Sequence, residues 1–239
     1  MSKRLIAAAC LAVLPMSAMA VDLDLPNDGG ALQGDFRGVG EDLSAALAYR
    51  SASPAETGGL LGFDVGAMLS YTTVENGDSW QSLVGEDPSG LGFVSLVASK
   101  GIPLINVEVG AQLGLVPGTD ITLLGGEARY SFVSGNVAIP AVSLRLGYQS
   151  ATGEDDIEAK ALSYDVSISK GFVFATPYVG YGRVDSEVTS DVAGYDDEDY
   201  DLDRVFGGVR LALALMKITA EAEQIGDNTA FNLRLAFGF

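Results

Sequence analysis

Large apolar residues recur at every second position through most of this chain. The last nine residues show it most cleanly. Phe231, Leu233, Leu235, Phe237 and Phe239 take the odd positions, with Asn232, Arg234, Ala236 and Gly238 between them. A period of two puts one set on each face of a strand. Earlier stretches read the same way over 62–73, 91–100, 106–115, 122–132, 141–150, 159–169, 172–184, 204–215 and 217–224. In the first, Phe63, Val65, Ala67, Leu69 and Tyr71 oppose Asp64, Gly66, Met68 and Ser70. In the fifth, Val142, Leu144, Leu146 and Tyr148 oppose Ser143, Arg145, Gly147 and Gln149. Only 172–184 leaves its facing ambiguous. Each stretch is about the ten residues a tilted strand needs to cross a bilayer.

The connections between strands alternate in kind. Those over 74–90, 116–121, 151–158, 185–203 and 225–228 are on the whole longer and acidic. Those over 101–103, 133–140, 170–171 and 216–217 are shorter. Short turns at one end and longer loops at the other are the habit of transmembrane barrels, and closure of the last strand on the first would remove the apolar edge. The fold expected is all-β: a closed antiparallel transmembrane β-barrel over 60–239, of about ten strands, with roughly eight to twelve allowed by uncertain boundaries. Tyr71 and Tyr148 fall near one end of their strands, and Tyr130, Phe132, Phe172, Phe237 and Phe239 near the other, as interfacial girdles would.

A different period precedes the strands. Phe36, Val39, Leu43, Ala46, Leu47 and Arg50 are spaced by three and four, which predicts a short amphipathic helix over 35–50, capped by Asp35 and weakened by Gly38 and Gly40. It belongs to an N-terminal segment over 21–59, and is expected at the periplasmic mouth or inside the lumen. Before it, Lys3 and Arg4, an apolar run over 5–14 and Ala18-Met19-Ala20 read as a signal peptide over 1–20, cleaved to leave Val21 first. That implies export through the Sec pathway. Cys10 is the sole cysteine, so the processed chain would have no disulfide and no thiolate chemistry.

With these elements in place, the C-terminal strand resembles the last strand of bacterial outer-membrane β-barrels. The resemblance implies a Gram-negative outer-membrane location and contact with membrane lipids and lipopolysaccharide. It also implies that Phe231, Leu233, Leu235, Phe237 and Phe239 form the signal read by the barrel-assembly machinery. The run Gly59-Leu60-Leu61-Gly62-Phe63-Asp64-Val65-Gly66 after a short helix resembles a family of uncharacterised outer-membrane barrels. That family implies no activity, so only the architecture follows from it.

Charge and missing residue types narrow the function. The chain carries 32 acidic and 14 basic residues, a net charge of −18, which disfavours nucleic acid as a partner. It has no histidine. A serine nucleophile usually needs such a base, and no spacing singles out one carboxylate pair, so an enzyme is not expected and no cofactor is implied. The polar faces of the strands carry Asp64, Glu108, Glu127, Asp165, Glu221 and Glu223 against Arg129, Arg145, Arg210 and Arg234. Inside a barrel these would pair with one another or line a constriction for small solutes. The acid-rich stretch 185–203 reads as a solvated outer loop, with divalent cations as possible partners but no EF-hand spacing. Two functions follow: a passive channel or uptake protein for small solutes, or a structural or surface-interaction barrel with a blocked lumen and acidic outer loops.

Overall fold

The computed structural model describes residues 25–27, 30–58, 62–102, 104–153 and 156–238. The signal-peptide residues, Gly59 to Leu61 of the resemblance motif and Phe239 lie outside the described residues. Ten strands close into one antiparallel barrel: β1 (Phe63–Thr73), β2 (Gly90–Ile102), β3 (Val107–Leu115), β4 (Thr122–Val133), β5 (Ala141–Thr152), β6 (Ile157–Ser169), β7 (Ala175–Ser190), β8 (Glu198–Leu213), β9 (Met216–Ile225) and β10 (Asn228–Gly238). Every strand pairs with its neighbours in sequence, and β10 closes on β1 with Leu235 opposite Ala67. The alternation decides the faces. Apolar side chains such as Leu144 (52 % exposed) and Phe237 (59 %) point outward, while the charged positions between them are buried inside. β7 follows suit, with Tyr178 and Val184 inward and Tyr181 outward.

Connections 74–89, 116–121, 153–156, 191–197 and 226–227 gather at one end of the barrel, here the loop end. The other four form the turn end. The rim at the loop end is uneven. β7 and β8 have 16 residues each and rise well above β3, which has 9. The acidic stretch 185–203 is therefore mostly strand, with only 191–197 as loop. The reason is a reversal of the pattern. Above the apolar band the outward residues are Asp185, Glu187, Asp199, Asp201 and Asp203, and the inward ones are Val184, Val188 and Leu202. Arg183 ties the two strands together by pairing with Asp201 (3.1 Å) and Asp203 (3.2 Å).

The predicted helix forms as α1 (Gln33–Leu47), and a second, unpredicted one, α2 (Gly77–Val84), sits in the connection after β1. Of the two places expected for α1, the periplasmic mouth and the lumen, the packing of its apolar face on inward strand residues corresponds to the second. The helix lies in the mouth at the loop end. The cause is complementarity of faces. Near the loop end the inward residues are apolar, among them Phe93, Leu123, Ile157, Val188 and Ile225, and they make one core with Phe36, Val39 and Leu47 of α1 and Trp80 of α2. Near the turn end the inward residues are charged and offer an apolar helix nothing. Gly38 and Gly40 are the points of closest approach. A Cβ on Gly38 would lie 2.6 Å from Ser79 Oγ of α2, and one on Gly40 would overlap the ring of Tyr200, whose hydroxyl donates to Arg37 O (2.9 Å).

Candidate functional site

Because α1 is at the loop end and β1 begins at the turn end, the chain between them must travel the length of the lumen. Residues 48–58 do so. Tyr49 enters first. It is almost fully buried, and its ring lies against Gly125 of β4 and Gly147 of β5, where a Cβ would come within 2.9 Å and 2.8 Å of it. Its N–H donates to Ser163 Oγ of β6 (3.1 Å). Arg50 follows and turns back on its own helix, donating to the carbonyls of Ala45 (2.7 Å) and Ala48 (3.2 Å). A cation at a helix C-terminus satisfies carbonyls that the helix leaves open. Its Nε also donates to Glu223 of β9 (2.6 Å).

Ser51 is the point where the wall converges. Its hydroxyl oxygen accepts from Arg129 of β4 (2.7 Å) and Arg145 of β5 (2.6 Å), and its carbonyl accepts from Arg234 of β10 (2.6 Å). The Pro54 carbonyl takes a further bond from Arg129 (2.9 Å), and Gly58 N donates to Glu108 of β3 (2.8 Å). Ala52 packs on Met68 and Val97. The segment therefore touches the wall from β1 to β10 rather than one side of it.

The charges form chains. Glu223 receives Arg50 and Arg204 (2.7 Å), Arg204 approaches Asp165 (3.8 Å), Asp165 receives Arg145 (2.7 Å), and Glu127 lies between Arg145 (4.0 Å) and Arg129 (3.2 Å). Arg129 then reaches Glu108 (3.4 Å). A second group joins Arg234 and Lys217 to Asp64 (2.7 and 2.8 Å). Burying so many charges is tolerable only because nearly all of them find partners. Glu221 finds neutral ones, the Tyr178 hydroxyl (2.7 Å) and Asn232 (3.2 Å). Arg210 faces the lumen near the turn end with no carboxylate within ion-pair distance among the described residues.

All ten charges picked out from the sequence thus face the lumen, and nine of them join or flank one network. Arg50, Arg204, Lys217 and Ser51 complete it and were not foreseen. Arg50 falls in a helical stripe, Arg204 and Lys217 at strand ends, and Ser51 in a turn-rich stretch, so none carries a local signal. At the loop end, burial and the neighbouring Asp227 and Asp42 raise the carboxyl of Glu41 above its usual range. Among the described residues no group of three or more acidic side chains is placed to hold a metal ion, the stretch 185–203 included.

No family model matches the chain, and no curated protein matches it. Solved outer-membrane barrels are similar at low identity. The N-terminal β-barrel domain of Pseudomonas aeruginosa OprF matches 74% of this chain and 97% of its own at 14% identity, with a TM-score of 0.37. KdgM porin, solved in complex with disordered oligogalacturonate, matches 75% and 99% at 9% identity, with a TM-score of 0.38. Neisserial surface protein A matches 74% and 95% at 10% identity, with a TM-score of 0.32. What the barrel does is read from its own lumen.

Proposed function

We propose that this chain is a non-enzymatic outer-membrane barrel that works with its lumen occupied, holding its N-terminal segment across the membrane and presenting α1, α2 and the acidic β7–β8 hairpin outside. The observation that carries the reading is the passage of residues 48–58 along the lumen, fixed at Ser51 by Arg129, Arg145 and Arg234. Membrane placement is supported by the outward band of apolar side chains around a charged interior, the reverse of a water-soluble fold. The loop end is taken as the outer side because transmembrane barrels keep their short turns in the periplasm. On this orientation the terminal strand, with Phe231, Leu233, Leu235 and Phe237 outward, ends in the periplasm, where the assembly machinery would meet it. Lipopolysaccharide would border the outward acids of β7 and β8, with divalent cations between them.

One observation favours a second reading, a small-solute pore opened when the segment leaves. Its hold on the wall is polar nearly throughout, and withdrawal would leave a charged lumen in which Arg210 makes no ion pair among the described residues. Planar-bilayer recording separates the two. The full processed chain is expected to show no steady conductance, and a chain lacking residues 25–58 is expected to conduct. Steady conductance from the full chain would overturn the occupied-lumen reading. On intact cells, a cysteine introduced at Gln33 should react with an impermeant maleimide; protection until the outer membrane is breached would reverse the orientation.

A further inference from the structure

A cavity of about 90 Å³ lies under α1 at the low side of the loop-end rim and is partly open. Leu47 of α1, Trp80 of α2, Phe93 of β2, Leu123 of β4 and Ile157 and Ala159 of β6 face it. Among the lining side chains the Thr152 hydroxyl at the rim is polar, and the indole N–H of Trp80 is already donated to Asp42 Oδ2 (2.9 Å). A water inside would find almost no partner, and an empty apolar void forfeits dispersion contacts along its whole wall. The cavity therefore suits hydrocarbon. Its position suggests the source. Val116 and Ile121, from the short connection between β3 and β4, belong to the same lining, and just outside it Leu115 and Leu124 are exposed on the outward face. One short rim separates a membrane-facing apolar surface from an apolar hole.

We propose that the cavity takes the terminal carbons of a linear acyl chain from a single-chain amphiphile, entering tail first over the β3–β4 rim, with the polar head held back near Thr152. The volume admits the end of a chain and excludes a whole lipid. The proposal rests on the membrane placement argued above.

Trp80 is the chain's one tryptophan and lines the cavity, so it is a built-in reporter. The full processed chain, reconstituted in detergent-free vesicles of saturated phosphatidylcholine, is titrated with ω-bromododecanoic acid and, separately, with its α-bromo isomer. Bromine quenches an indole on contact. Saturable quenching by the ω isomer and little by the α isomer is expected. Ala159→Phe, which fills the cavity, should remove the saturable part, and Ala46→Leu on α1 provides the same test if the first variant does not fold. Equal quenching by both isomers, quenching that only grows linearly with added acid, or saturable quenching that survives filling would overturn the proposal. Strand circular dichroism and flotation with the vesicles are read in the same samples. A chain that fails to insert defeats the membrane placement, whereas a chain that inserts without saturable quenching defeats the acyl site alone.

Discussion

Asp42 is fully buried on α1 and has no cation in ion-pair reach among the described residues. Four donors surround it instead: the backbone N–H groups of Glu75 and Asn76 (3.1 Å each), the Trp80 indole (2.9 Å) and the Asn228 amide. One carboxylate so joins α1, the start of α2 and the start of β10. Replacing it with alanine strands these donors, each at about 1–3 kcal/mol where water cannot reach them. In Asp42→Ala the Trp80 emission is expected to shift to the red, and the helices to come free in less urea than the parent needs, while the strand signal in circular dichroism stays. Unchanged emission would mean that the donors find other partners. Nothing in the sequence marks this residue, since an aspartate in a polar helical position usually faces solvent. Its partners stand 33 to 186 residues away, beyond any local pattern. The lumen charges were legible for the opposite reason: each sits inside a run whose alternation already says which way it points.

At the scale of elements, the strands were legible wherever one physical rule held along their length. Along the band of outward apolar side chains that rule is apolar outward and polar inward, and there the expected strands agree with the observed ones to within a few residues. Beyond that band the rule reverses, so the upper parts of β7 and β8 read as an acidic loop. α2 was missed because a helix of 8 residues in a polar connection gives too little periodicity to notice. Two tests belong here. Leu144→Arg, on the outward face, should cost about 2–4 kcal/mol in reversible folding into lipid. Ser143→Arg, one residue away, looks the milder change in sequence, but Ser143 is fully buried and its hydroxyl meets that of Ser167 (3.1 Å). The filled lumen leaves no room for an arginine, so both variants should be destabilised, and a near-neutral Ser143→Arg would show the lumen to be looser than its contacts indicate. The second test concerns Phe237, exposed near the end of β10. Truncating a partly buried ring costs at most a few kcal/mol. If the strand is read during assembly, Phe237→Ala and Phe239→Ala should lower the barrel's yield in cells while refolding nearly as well as the parent in vitro. Normal yield with poor refolding would mark the rings as packing elements.

At the scale of the whole molecule, the sequence supplied a barrel and a helix but not the path between them. Which end receives α1 depends on how the inward residues of ten separate strands divide into an apolar and a charged half, a property no single segment displays. The path has a consequence in time. The segment that fills the lumen is made first, and the strand that closes the wall, β10, is made last. Arg234 of that strand bonds to Ser51, 183 residues earlier. Sealing the cylinder and fixing the segment to its wall are then a single late event. Ends so far apart in sequence meet slowly, because loop-closure entropy is lost before the contact returns anything. A chain lacking residues 25–58 should therefore close faster in stopped-flow refolding into lipid, yet unfold in less denaturant. If it closes no faster than the full chain, the segment is threaded through an already sealed wall.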